Sequence, residues 1–175
     1  MPTAAPKSKR PRGLADEIGK VHDFEQVEHE AYLDLIRTHD ILAAGHAEKF
    51  ARHGLSSPLF NILSILRGHE RREGPGHEGV PVYTVGREML TREPDISRLA
   101  DRLEKLGLVS RHRCSEDRRV VRLRLTDEGR RVQEEAARES MDLIRRQFEH
   151  LGQTKSRQLS RLLCELRNPP AADVD

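Results

Sequence analysis

Residues 95–132 read DISRLADRLEKLGLVSRHRCSEDRRVVRLRLTDEGRRV, and their apolar spacing changes twice. Ile96, Leu99, Ala100, Leu103 and Leu106 fall at helical steps and face inward, which leaves Ser97, Arg98, Asp101, Arg102 and Lys105 on the outer face. Pro94 opens this helix and Gly107 stops it. The step then drops to two. Val109, Arg111 and Arg113 are followed by Val121, Leu123 and Leu125, which alternate with Arg122 and Arg124, and the pattern predicts a β-hairpin with one buried face. Thr126 caps the next helix, with Asp127 and Glu128 in its first turn, where the helix dipole favours acids. A cationic helix followed by a cationic hairpin predicts a winged helix-turn-helix.

Working toward the N-terminus, Val82, Val85 and Met89 mark a short helix over about 81–90, and residues 68–81, with four glycines and two prolines, predict a loop. Leu59, Ile62, Leu63 and Leu66 form the stripe of a core helix, with Ser57 as its N-cap, Pro58 at its first position and Gly68 as its end. From Leu14 to about Phe50 a single long helix is expected, with Ile18, Val21, Phe24, Val27, Ala31, Leu35 and Leu42 at steps of three, four or seven. Toward the C-terminus, Val132, Ala136, Leu143, Ile144 and Phe148 carry a helix to about His150, and Gly152 breaks it. Leu159, Leu162, Leu163 and Leu166 mark a last helix that ends before Asn168-Pro169-Pro170, and Cys164 is expected in its interior. The flanking helices have apolar stripes that the centre cannot cover, and a second copy of the chain is the economical partner.

The expected fold is therefore mainly α: a winged helix-turn-helix with long N- and C-terminal dimerisation helices and one β-hairpin wing. The map is a basic disordered tail over 1–13, an N-terminal dimerisation helix over 14–55, the DNA-binding domain over 56–126, C-terminal dimerisation helices over 127–168 and a tail over 169–175.

Composition agrees. A chain of 175 residues suggests one domain or one oligomer subunit. Charged residues are 34%, above the usual share of about 25%. Aromatic residues are 3% and tryptophan is absent, which predicts thin cores. No apolar run approaches the ~18 residues a membrane helix needs, and two cysteines exclude a disulfide scaffold. MPTAAPKSKRPRG lacks an apolar segment of ~7–15 residues, so no secretory signal is expected and the setting is cytoplasmic. Its Lys7, Lys9, Arg10 and Arg12 read as a solvated tail or as a basic arm on phosphates.

Charge is concentrated at the centre. Between Arg98 and Arg124 nine residues are basic and four acidic, a surplus of five against +2 for the whole chain. Such clustering is the footprint of a nucleic-acid partner. Arg98 and Arg102 suit bidentate pairing with guanine O6 and N7 in a major groove, with Ser97 beside them at the helix start. Lys105 suits phosphate. Asp101 would orient Arg98 or Arg102, accept from a cytosine amine, or pair with Lys105 at i+4. Arg111, Arg113, Arg118 and Arg119 would bring the wing to DNA, with Asp117 holding one guanidinium as Arg119 or Arg118 enters a minor groove.

These marks resemble the MarR-type transcriptional regulators: Ser97-Arg98-Leu99, Asp101-Arg102-Leu103-Glu104, Gly107-Leu108-Val109, Asp117-Arg118-Arg119 and Leu125-Thr126-Asp127-Glu128-Gly129, with Leu59–Gly68 similar to the family's second helix. The resemblance covers roughly residues 20–167. It implies a homodimer on a near-palindromic operator of double-stranded DNA, a repressor rather than an activator, released by a small ligand. The first helix and the last two would form the dimer interface. The ligand would be a small aromatic acid in a crevice between the dimerisation helices and the DNA-binding lobe, with Tyr32, His39 and Arg67 as pocket residues by helix position. The chain departs from the family in its glycine-rich 68–81 loop and in Pro94-Asp95, an acidic helix start that is unfavourable toward phosphate.

Gly74-Pro75-Gly76-His77-Glu78-Gly79 fits a dinucleotide fingerprint but lacks the strand before it. His22 and His29, His39 and His46, and His46 and His53 are seven apart, about 10 Å along a helix and too far for one metal. They suggest a charged dimer-helix surface, with a pH or ligand role as the alternative. His69, Glu70, Glu73, His77 and Glu78 match no strong metal motif. Cys114, near wing arginines, and the histidines leave a metal- or redox-responsive regulator of the same fold open, and a protein–protein module using the winged helix is the other alternative. No catalytic constellation, metal site or cofactor is expected.

Overall fold

The computed structural model describes residues 13–21, 24–74, 77–93, 95–114 and 117–170. Expectations that fall on Lys7, Lys9, Arg10, Arg12, His22, Pro75, Gly76, Pro94, Glu116 and the tail from Ala171 onward lie outside them. The chain divides into two compact units, Met1–Ala44 and Gly45–Asp175.

In the first unit the long helix expected from Leu14 is interrupted. A four-residue helix α1, Leu14–Glu17, ends at Gly19, whose φ of 68° a helix cannot continue. Helix α2, Val27–Arg52, then starts afresh with Glu28 and Glu30 in its first turn. Val27, Tyr32, Ile36 and Ile41 are exposed on it.

The second unit holds the core. Helix α3, Ser57–Glu73, has Ser56 rather than Ser57 at its N-cap. Gly68 does not end it. The helix runs through to Gly74, where a φ of 81° supplies the stop, so the loop is shorter than its composition suggests. Next come β1, Val80–Pro81, and α4, Val82–Glu88. They are followed by α5, Ile96–Lys105, and the hairpin β2, Val109–Arg113, and β3, Val121–Leu125. The sheet is three-stranded and antiparallel in the order β1-β3-β2, with Val80 opposite Leu123 and Val109 opposite Leu125. Pro81 sits on an edge strand, where a missing N–H is tolerated. Helix α6, Asp127–Phe148, a 3₁₀ turn over Glu149–Leu151, and α7, Gly152–Arg167, complete the unit.

Leu59, Ile62, Leu63 and Leu66 are buried as their spacing requires, together with Val85, Ala100, Leu103, Leu123, Val132 and Ala136. Each fully buried leucine contributes about 1.5–3 kcal/mol. Phe50 stacks on Phe60 with ring centroids 4.2 Å apart. Three expectations are corrected. Leu106 is 45% exposed, because it lies past the last turn of α5 as its C-cap. Cys164 is exposed, and α7 buries no residue within the chain. The histidine spacing read as a charged surface instead places His46, on α2, and His53, just past its end, against α6: the His46 ring meets the Ser140 hydroxyl at 3.0 Å, and the His53 ring meets the Glu139 carboxylate at 3.3 Å.

Candidate nucleic-acid interface

Helix α5 is held at both ends. The Asp95 carboxylate accepts from the backbone N–H of Arg98 at 2.9 Å, so the acidic residue that looked unfavourable toward phosphate serves as the N-cap. At the other end the Thr126 hydroxyl donates to the Gly107 carbonyl at 2.7 Å and accepts from the Gly129 N–H at 2.9 Å. Gly129 itself lies so close that an added Cβ would stand 1.9 Å from the Leu108 carbonyl oxygen. The start of α6 is thereby seated on the end of α5. Ala100 and Leu103 anchor the inner face, and Ser97, Arg98, Asp101, Arg102 and Lys105 are all exposed on the outer one, as their spacing predicts.

At the wing tip the Val120 N–H donates to the Asp117 carbonyl and the Cys114 N–H to the Val120 carbonyl, each at 2.9 Å. The Asp117 carboxylate accepts from the backbone N–H of Arg119 at 2.9 Å, so it shapes the turn instead of holding a guanidinium. Arg113, Asp117, Arg118 and Arg119 are exposed. Among the described residues, no carboxylate pairs with the side chains of Arg98, Arg102, Lys105, Arg113, Arg118 or Arg119, so six cations of the helix and wing are left for solvent or a partner. Cys114 is buried.

Two of the wing arginines turn inward. Arg122 donates to the Gly79 carbonyl at 2.9 Å and lies 3.5 Å from the Glu78 carboxylate. Arg111 donates to the Ser97 carbonyl at 2.7 Å and pairs with Asp101. Asp101 therefore meets neither Lys105 nor its arginine neighbours. A cavity of about 520 Å³ opens between α4, the start of α5 and the wing, with Tyr83, Ser97, Arg111 and Arg119 among its walls. The sequence reading passed over Tyr83, which is 68% exposed on α4 and stands out as one of only two tyrosines. It also gave no site role to Glu104, which has no partner at helical spacing that would have drawn notice.

Of the three candidate effector residues, Tyr32 and His39 belong to the first unit and Arg67 to the second. His39 lines a cavity of about 350 Å³ in the first unit, together with Leu14, Leu33, Ile36 and Arg37. Tyr32 is not among its walls and is 62% exposed. Arg67, in the second unit, donates to Glu70 at 2.7 Å and pairs with Glu134. The Glu70 hydrogen bond, against burial and with help from Glu134, holds the Arg67 guanidinium above its ordinary value. Burial pushes the Glu70 carboxyl up, but hydrogen bonds from Arg130 and Arg67 more than offset it and leave it below the usual range. Among the described residues, no three histidine, cysteine or carboxylate side chains are grouped to hold a metal. None of the described helices is long and apolar enough to cross a membrane.

Comparison with known proteins bears on the same region. The family model described as "MarR family" matches residues 53–120. PecS, a helix-turn-helix transcriptional regulator of Dickeya dadantii, is 36% identical over 99 residues, covering 54% of this chain and 57% of that protein. FarR, a regulator of Neisseria gonorrhoeae, is 41% identical over 73 residues, covering 42% of this chain and 50% of that protein. The chain thus spans about half the length of these curated relatives. A crystal structure of a MarR transcription factor from Planctomyces limnophilus is 35% identical, covers 81% of this chain and 98% of its own, and superposes with a TM-score of 0.60. That near-complete match extends the likeness beyond the winged centre to the flanking helices, and the chain belongs to the MarR family.

Proposed function

We propose that the protein is a homodimeric transcription regulator that represses by binding a near-palindromic operator. The observation that carries this reading is the convergence of Arg98, Arg102 and Lys105 on α5 with Arg113, Arg118 and Arg119 on the wing, all exposed and unpaired among the described residues. Arg98 and Arg102, with Ser97, read base edges in the major groove, and Lys105 meets phosphate. Arg118 and Arg119 enter the flanking minor groove from the wing. The second copy covers the apolar side chains left open on the flanking helices. Those are Leu162 and Leu166 on α7, Met141 on α6 and, in the first unit, Ile36 and Ile41 on α2. Two recognition helices in such a dimer stand one DNA turn apart, about 34–36 Å.

A small aromatic acid acts as effector, by binding one spacing of the two lobes better than the other. The His39 cavity, with Leu14, Ile18, Leu33 and Ile36 for an apolar ring and Arg37 beside Asp40 at its wall, supports that chemistry through the Arg37 cation. The protein works in the cytoplasm and catalyses no reaction.

The test is selection of bound sequences from a random duplex library, followed by a salt titration on the enriched duplex and sedimentation of the free protein. The expected result is a palindrome with half-sites one turn apart, a steep salt slope and a dimer. A library that enriches nothing, with binding indifferent to duplex, would instead favour a winged helix that docks an acidic protein.

A further inference from the structure

Arg111 lies on the strand that leads into the wing, and composition alone counts it with the DNA-facing cations. Its contacts point the other way. Nη2 donates to the Ser97 carbonyl at 2.7 Å, Nη1 pairs with the Asp101 carboxylate, and Nε lies 3.7 Å from the Glu104 carboxylate. Ser97, Asp101 and Glu104 are spaced by four and three, so they form one stripe along α5. One guanidinium thus spans two turns of the recognition helix from a strand of the wing. Its planar fork suits this, because it can address two acceptors in fixed directions.

The surroundings argue against a phosphate at this position. Two carboxylates face the single cation, so the local charge is negative, and an incoming phosphate would be repelled. The Arg111 side chain is 24% exposed, while its two carboxylate partners are about half exposed. The cavity of about 520 Å³ lies beside this brace, between α4, the start of α5 and the wing. At that level the recognition helix and the wing border open space, and the Arg111 side chain bridges them.

We infer that Arg111, with Asp101 and Glu104, is a positioning group that sets the angle between recognition helix and wing, and that it does not contact DNA. The inference rests on the DNA-binding reading above. Arg111 and Asp101 hold the arginines of helix and wing at a separation that lets both reach their grooves together. Loss of the brace leaves every DNA-facing cation in place but lets the wing drift relative to the helix.

The experiment uses the duplex enriched by the parent protein and an unrelated duplex, each titrated over a salt series with Arg111→Met, Arg111→Lys and Asp101→Asn. Positioning predicts that Arg111→Met loses tenfold or more on the enriched duplex and little on the unrelated one, with the salt slope unchanged. Arg111→Lys fails similarly, because it keeps the charge and loses the fork. Asp101→Asn also weakens the enriched complex, although it removes a negative charge near DNA. The inference is overturned if Arg111→Met weakens both duplexes equally and lowers the slope by roughly 0.9, the mark of one lost phosphate contact. It is overturned equally if Arg111→Lys binds like the parent, or if Asp101→Asn binds both duplexes more tightly. A parent that binds no duplex at any salt would overturn the regulator reading and this one with it. A parent that binds while the variants behave as contacts would overturn this one alone. Asp101→Asn is nearly isosteric and exposed, so it reports even if Arg111→Met unfolds.

Discussion

Arg130 on α6 and Arg102 on α5 are the same side chain on two amphipathic helices of one unit, and they differ in what faces them. Arg130 donates to Glu70 at 2.7 Å and pairs with Asp127 at 2.5 Å. Its neighbour Arg131 lies between Glu128 and Glu135. Arg67 on α3 completes the group through Glu70 and Glu134. Arg102, Arg98, Arg118 and Arg119 have no carboxylate partner among the described residues. A charge count weighs all of these equally, but the positive field that reaches a distant phosphate comes from the unpaired set. Around α3 and α6 arginine joins helices together, and on α5 and the wing it is available to a partner. Arg111 shows that position in the sequence does not decide between these roles, since it lies in the wing and behaves like the α6 set.

The largest effect should come from emptying the open region. Arg98→Ala with Arg102→Ala removes two side chains placed to pair with bases, together about 2–6 kcal/mol of discrimination. Affinity for the enriched duplex should fall on the order of a hundredfold or more, and thermal unfolding should shift by less than about 0.5 kcal/mol. Anisotropy titration and calorimetry read the two quantities separately. A double variant that melts early would mean that these arginines stabilise the fold after all, and the contrast with α6 would lose its basis.

The converse is expected from Glu70, the carboxylate that joins Arg67 and Arg130. Glu70→Ala leaves two half-buried guanidinium groups short of an acceptor, at a cost of about 1–3 kcal/mol, with the DNA-facing cations untouched. The pH dependence has a definite sign. The folded Glu70 carboxyl titrates below its ordinary value of 4.5, so the ionised network contributes fully above that value and is lost as pH falls through the folded one. Melting curves of the parent should therefore decline on the acid side, and Glu70→Gln should flatten that decline. An acid limb equally steep in both proteins would remove Glu70 from the account.

Much of this contrast was legible in the sequence, and the rest was not for identifiable reasons. The outward stripe of α5, the hairpin and the Thr126 cap follow from period and local chemistry, which depend on neighbours a few residues away. Gly68 misled because glycine ends a helix only where a positive φ is needed, and Gly74 takes that conformation instead. The break at Gly19 hid inside an apolar stripe whose phase happens to survive it. The two-residue strand β1 is too short to carry a period. The partners of Arg111 and Arg122 were not legible because they are distant in sequence, and no local spacing announces Ser97 or Gly79 as an acceptor. Asp101 was expected to meet its own helix neighbours or a cytosine amine, and in the structure a strand residue, Arg111, pairs with it.

A smaller effect is expected at the wing tip. Arg119→Ala leaves the Asp117 turn intact, because Asp117 binds the backbone of residue 119 and not its guanidinium. The variant should lose about 1 kcal/mol on every duplex alike, with the salt slope reduced by roughly 0.9. Arg98→Ala alone should instead relax base preference. If Arg119→Ala altered preference and left the slope unchanged, helix and wing would have exchanged the roles assigned to them.

The smallest effect is expected from Arg131, where the comparison is most exposed to failure. Its side chain pairs with Glu128 and Glu135 on its own helix and is 57% exposed. The Glu128 hydrogen bond holds the guanidinium above its ordinary value, and the Arg131 hydrogen bond in turn holds the Glu128 carboxyl below the usual range. Both partners stay hydrated when separated, and Glu128 remains favoured at the helix N-terminus by the dipole. Arg131→Ala should therefore change neither melting nor DNA affinity measurably, whereas Arg102→Ala, the loss of another exposed arginine, should weaken DNA binding. A drop in affinity for Arg131→Ala as large as for Arg102→Ala would mean that pairing within the chain does not separate the two regions. Total charge would then set DNA affinity, and the recognition helix would hold no special place in it.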